Sequence, residues 1–246
     1  MARGVTEWIP YCGAAPVPGE LLARWNLDPV LLALIAGAAA LTWSMPRLRT
    51  GANAGALAVF AFLFVSPFCA LGSALFAARV VHHLMLVLLL APLIALSFHQ
   101  SHRIGKLSLP LLTVLQAAVF WAWHAPPLYA LALSNDAVFW LMQVTITFSA
   151  ALWWARLRRA PAAAAVGALL ATMVQMGLLG ALLTFSGRAF YAPHWLTTGT
   201  WRLSPLEDQQ LGGMVMWAPG AAVYLFVALT ILYRSMSRDG ARAAQA

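Results

Sequence analysis

The chain has 246 residues, 62% of them hydrophobic and only 9% charged, with a formal net charge of +8 and a mean hydropathy of +0.79. Soluble domains carry about 25% charged residues, so a water-soluble surface cannot be built here, and the length leaves room for one helical bundle and no sizeable soluble domain. The basic residues sit in short clusters between apolar runs, which is a topology signal and not the footprint of nucleic-acid binding.

Residues 1–28 lack the apolar core of a signal peptide and read as a polar, turn-rich tail with Trp8, Pro10, Cys12, Pro16, Pro18 and Trp25. A first span is expected over 29–45, followed by a loop with Arg47 and Arg49. A second covers 54–71, with Pro67 and Cys69 near its end. The third, 79–98, reads RVVHHLMLVLLLAPLIALSF. It meets the about 20 apolar residues a spanning helix needs, carries His82 and His83 in its first turn, and is kinked by Pro92 in its far half. A basic loop with His102, Arg103 and Lys106 leads to a fourth span, 109–129, which ends WAWHAPPLY. His124 lies near that end, and Pro126 and Pro127 stop or kink the helix. The fifth span, 137–155, is followed by the basic RLRRAP. The sixth, 162–185, is followed by a polar loop over 186–212. The seventh, 213–233, runs into a basic tail, 234–246.

The expected fold class is therefore all-α, a polytopic integral membrane bundle of about seven transmembrane helices. Seven spans put the termini on opposite sides. Arg47, Arg49, Arg103, Lys106, Arg156, Arg158 and Arg159 then share a side with Arg234, Arg238 and Arg242. The other side holds Arg3, Arg24, Arg79, Arg188 and Arg202 with nearly all the acids: Glu7, Glu20, Asp28, Asp136, Glu207 and Asp208. The positive-inside rule makes the first side cytoplasmic, with the N-terminus outside and the C-terminus inside. Gly167, Ala171, Gly177, Gly180 and Ala181 would let another helix approach the sixth span, and Gln116, Gln143 and Gln175 suit interhelical hydrogen bonds.

This topology gathers His82, His83, His124, His194, Asp208, Cys12, Cys69, Met214 and Met216 toward the outer face. Ionisable groups in a span are costly and usually face the bundle interior or a cavity. Imidazole with soft sulfur suits copper, and histidines on two neighbouring helices can also ligate haem iron. The same residues have structural readings. His82 and His83 serve equally as interfacial hydrogen-bonding groups. Cys69 reads as a small buried hydrophobe or, on an oxidising face, as the disulfide partner of Cys12. His194, after a proline in a loop, reads as solvated. Met214 and Met216 are two positions apart, so at most one points into a site. Arg79 precedes His83 by one turn, opposes cation binding there, and suits a carboxylate such as Asp208 or a haem propionate. With no HExxH, GxSxG or intramembrane Asp pair, no enzyme is expected.

Four segments in order, YCGAAPVPGELLARWNLDPVLL, FAARVVHHLMLVLLLAPLIAL, WHAPPLYALAL and LSPLEDQQLGGMVMWAPGAAVYL, resemble the multi-span CtaG family of cytochrome c oxidase assembly factors. The resemblance implies a multi-pass protein of the bacterial cytoplasmic membrane. Its partners would be cytochrome c oxidase subunits, and its cargo would be copper for their metal centres. His83 and His124 match family histidines, Asp208 and Gln209 match the Asp-Gln pair before the last span, and Trp217, Pro219 and Gly220 match the MWxPG signature. The family commonly has histidine where Arg79 stands, and further His or Glu where Ala137–Leu141 reads AVFWL, so a multi-histidine site is thinned here. The metal ligands expected are His83, His124 and Asp208, with His82 or Met214. The other readings are a haem-binding electron-transfer protein, a copper transporter, and a chaperone that only holds an oxidase subunit.

Overall fold

A computed structural model describes residues 9–97 and 106–243, the last five of these as backbone only. The expectations for Arg3, Glu7, Trp8, His102, Arg103 and the Arg242 side chain lie outside the described residues. All regular structure among the described residues is helical. The helices are α1 (Pro29–Ser44), α2 (Gly51–Val65), α3 (Pro67–Ala74), α4 (Phe76–Ser97), α5 (Leu109–His124), α6 (Pro126–Ser134), α7 (Asp136–Leu157), α8 (Ala162–Phe185) and α9. The last is one continuous rod made of Pro205–Val215, a π turn at Met216–Gly220, and Ala221–Ala243.

The helix starts follow from local chemistry. Asp28, Thr50, Ser66, Ser108 and Asn135 each accept a backbone N–H in the first turn of the helix they precede, satisfying donors that have no intrahelical partner. Ser204 and Glu207 form a reciprocal capping box at the start of α9. Prolines set the breaks. Ser66 before Pro67, and Ala125 before Pro126, adopt extended backbone, as the residue before proline must. The expected second span is thus bent by 49° between α2 and α3, and the expected fourth is split into α5 and α6. Pro92 cannot donate to the preceding turn, and α4 widens into a π turn at Leu86–Leu90 just before it. The seventh element begins at Pro205, so the last loop covers 186–204 only.

Among the described residues four helices are long and apolar enough to cross a bilayer: α4, α7, α8 and Pro205–Arg238 of α9. The bent pair α2–α3 makes a fifth. The apolar helices α1 and α5 have 16 residues each, about 24 Å at 1.5 Å per residue.

Close backbone approach joins α8 to α9. A Cβ on Gly213 would lie 2.6 Å from the carbonyl oxygen of Gly180, and one on Gly180 would lie 2.8 Å from that of Gly213. Small residues at such a crossing let helices gain dispersion contacts that lipid cannot replace. Of the three glutamines, Gln175 accepts an interhelical hydrogen bond from Trp121 Nε1 at 2.8 Å. The buried Gln143 side chain and the Gln116 Oε1 have no hydrogen-bond partner.

The tail is fastened to the bundle. Cys12 and Cys69 form a disulfide. Asn26 donates from its backbone to Val65 O and from its side chain to Phe64 O, and Tyr11 Oη donates to Asp28. The bundle has two chemically different ends. One carries the disulfide, His124, Asp208 and the 186–204 loop. The other carries Arg156, Arg158, Arg159, Arg234 and Arg238.

Candidate metal-binding site

His83 comes from the second turn of α4 and His124 is the last residue of α5. The break at Ala125 ends α5 there, which brings His124 against α4 and not further along a continuing helix. Both side chains are buried. Their ring centroids are 5.4 Å apart and the planes nearly perpendicular, at 84°. His124 Nδ1 donates to Phe120 O at 2.7 Å, a bond to the preceding turn that fixes the tautomer and leaves a lone pair on Nε2. That Nε2 has no hydrogen-bond partner, and neither ring nitrogen of His83 has one. Buried polar atoms are normally bonded, so three open imidazole nitrogens in one place call for an explanation. Metal–nitrogen bonds of about 2.0 Å place two ligating rings with centroids about 6 Å apart or less. The 5.4 Å between the two ring centroids is within that limit.

The other expected ligands are engaged elsewhere. Among the described residues no group of three or more His, Cys, Asp or Glu side chains could hold a metal together. Asp208 accepts from the backbone N–H groups of Phe76 (2.7 Å) and Ala77 (3.0 Å). Leu75, at the N-cap position of α4, offers no side-chain acceptor, so Asp208 caps α4 from 131 residues away. Seven residues of helix, about 10 Å, separate that cap from His83. His82 is buried between Phe64 and Phe68, with Nε2 3.2 Å from Leu63 O. Its centroid is 6.1 Å from that of His83. Met214 is 44% exposed and faces away from the core. Cys69 is spent in the disulfide.

Met216 is the methionine on the inner face, and it is fully buried. One turn before it, Gly212 abuts Phe76 and Val80 of α4; one turn after it, Gly220 abuts Leu84 and Met176. Met216 therefore lies on the stripe of α9 that tracks α4 past His83. The signature residues have packing roles beside it. Pro219 sits in the π turn, Trp217 packs over Gly177 and Phe185, and Gly220 leaves the space that Leu84 and Met176 fill. Gln209 donates to Leu183 O and Arg188 O and accepts from Phe190 N, which anchors the loop to the start of α9.

That loop roofs the histidines. Tyr191 Oη donates to His124 O at 2.8 Å, and the Tyr191 ring stacks on Phe76 with centroids 3.8 Å apart. His194, expected to be solvated, is buried and shares a 2.7 Å hydrogen bond with Tyr129 Oη. Burial, and then the charge of Arg79, push its imidazole down to about 3, so it is neutral in its ordinary working range. Thr197 Oγ1 donates to Ala74 O. Tyr129 and Tyr191 have no spacing signal in the sequence. Their only mark is a tyrosine near the end of an apolar run, where its hydroxyl seeks a partner.

Arg79 is fully buried. Its Nε donates to Gly72 O at 3.2 Å, its Cζ lies 5.2 Å from the Phe139 ring centroid, and its Nη2 is 4.0 Å from Cys12 Sγ. Gly72 leaves room for it: a Cβ would sit 2.9 Å from Arg79 Cζ, so the guanidinium would have to shift. Among the described residues no carboxylate pairs with this guanidinium, and Asp208, expected as its partner, caps α4 instead.

The family model for the cytochrome c oxidase caa3 assembly factor (Caa3_CtaG) matches residues 30–238. The chain belongs to this family. The match takes in every helix from α1 to the basic end of α9, and with them both open histidines and the Asp208–Gln209 anchor. No curated protein and no solved structure matches the chain. The helical membrane bundle of this assembly factor is thus a fold that the sequence patterning anticipates, while its side-chain site departs from the expected ligand set.

Proposed function

We propose that this oxidase assembly factor holds Cu(I) transiently on His83 and His124 and passes it to an oxidase subunit at the outer face of the bacterial cytoplasmic membrane. One observation carries the reading: two buried imidazoles on neighbouring helices face each other with three nitrogens left open. Cu(I) accepts low coordination and soft donors, and the buried thioether of Met216 is the nearest such donor on α9 by register. Arg79 one turn away disfavours a second positive charge, which suits a monovalent ion held briefly better than a divalent ion held tightly. The 5.4 Å edge-to-face contact of the rings leaves no room for a macrocycle between them, which favours a bare ion over haem. The loop that covers His124 would have to lift for transfer, and that makes 186–204 the natural contact for an oxidase subunit.

The test is metal content together with the visible spectrum of detergent-purified protein after Cu(I) loading. Wild type is compared with His83→Ala/His124→Ala. About one copper per chain, lost in the variant and without a Soret band, is expected. A haem band lost in the variant would move the assignment to electron transfer. Neither metal nor haem in wild type would leave the holding of an oxidase subunit as the function.

A further inference from the structure

At the arginine end, α7, α8 and α9 enclose a cleft of about 500 Å³. Arg158, Arg234 and Arg238 line it with Ser235, and Leu157 and Ile231 are part of its apolar wall. Among the described residues no acidic side chain lines it. Arg234 and Arg238 are one turn apart, so they share a face of α9, and Arg158 approaches from the end of α7, with Nη1 3.5 Å from Ala95 O. Three guanidiniums on one cleft offer charged, forked donors suited to a polyvalent anion.

The position says which anion. Arg234 is 29 residues beyond Pro205, about 44 Å along α9, while the hydrocarbon core is about 30 Å thick. With the histidine end near one interface, the cleft falls at headgroup level of the other. Its apolar wall is made by Leu157, Ala160, Ala162, Ala165 and Ile231, beside the guanidiniums. A soluble phosphate would use the guanidiniums and leave this wall bare. A phospholipid uses both. We propose that the cleft binds the phosphate headgroup of an anionic membrane phospholipid, with its acyl chains along the end of α9. Basic pockets between spans are suited to such headgroups. This proposal is independent of the copper reading.

The experiment is native mass spectrometry of the full-length protein from detergent carrying equimolar phosphatidylglycerol, cardiolipin and phosphatidylcholine. Wild type should retain the anionic lipids at least about tenfold over phosphatidylcholine, a modest demand for three arginines near a headgroup. Arg158→Gln/Arg234→Gln/Arg238→Gln should lose that preference. Arg47→Gln/Arg49→Gln, which removes the same kind of charge outside the cleft, should keep it. Should the triple variant fail to fold by thermal melt, Arg234→Gln/Arg238→Gln on exposed helix positions serves in its place. Equal retention of phosphatidylcholine, or an unchanged preference in the cleft variant, would overturn the proposal. Millimolar inorganic phosphate protecting the protein at these arginines while no lipid is retained would identify a soluble phosphate site instead, and would equally overturn the lipid assignment.

Discussion

Buried polar side chains at the histidine end divide into those whose bonds are complete and those left open, and that division separates scaffold from site. Asp208 and Gln209 are saturated; His83 is bare. The sequence marks Asp208 as part of PLEDQQ but cannot assign its work, because the N–H groups it caps are 131 and 132 residues away and leave no local pattern. His83 and His124 are legible because an ionisable group in an apolar run is rare for a reason of energy. Met216 was separable from Met214 only by knowing which face of α9 meets α4. The division makes a prediction. Asp208→Asn keeps the shape but offers one acceptor where two N–H groups need one each. It should lower stability by about 1–2 kcal/mol, the usual worth of a helix cap, read as a lower melting temperature in detergent. Copper bound after loading should stay as in wild type. A loss of copper with an unchanged melting temperature would mean that Asp208 is a ligand after all.

Elements here are defined by where the helix cannot continue as much as by where it can. Prolines are visible in sequence, and their consequences at Ser66 and Ala125 follow from the extended backbone that precedes them. What cannot be read is which small residue touches what. Gly167 and Gly180 look alike in the sixth span, yet a Cβ on Gly167 would meet open space while one on Gly180 would strike α9. Gly213 reads as the first residue of the seventh span, and it makes the tightest contact among the described glycines: a Cβ there would come 2.5 Å from Thr184 Oγ1. The crossing partner is a property of packing and not of periodicity. Gly213→Val should force α8 and α9 apart and cost about 1–3 kcal/mol, as overpacking does in a dense interior. Gly167→Val should be neutral to within a few tenths. Paired thermal melts of the two variants decide it, and equal melting temperatures would show that the close approach does not exist in the membrane.

The whole molecule is polarised, with a disulfide and a histidine pair at one end and arginines at the other. Two independent kinds of chemistry point to the same orientation. Arginine clusters stay on the cytoplasmic side, and a disulfide such as Cys12–Cys69 forms where the environment is oxidising. An odd number of crossings satisfies both. The long helices and the bent α2–α3 pair supply five spans. The apolar α1 and α5 are about 24 Å long and bring the number to seven only if the bilayer or their flanking residues accommodate the shortfall, which costs fractions of a kcal/mol per Å. Five and seven crossings both separate the termini, but the Cys12–Cys69 disulfide needs an even number of crossings between its cysteines, which α1 and the α2–α3 pair together supply. Wild type has no free cysteine among the described residues, so single reporter cysteines can be read against a clean background. Gly19→Cys lies in the tail with open space around its Cβ, and Ser237→Cys is exposed near the end of α9. In intact spheroplasts a membrane-impermeant maleimide should label Gly19→Cys at once and Ser237→Cys only after lysis. A third reporter at the exposed Arg49, between α1 and α2, tests whether α1 crosses: protection before lysis is expected, and immediate labelling would be incompatible with α2–α3 crossing and Cys12 pairing with Cys69. Labelling of both ends from one side would remove the odd count, and with it the argument that the open histidines lie toward the outer face.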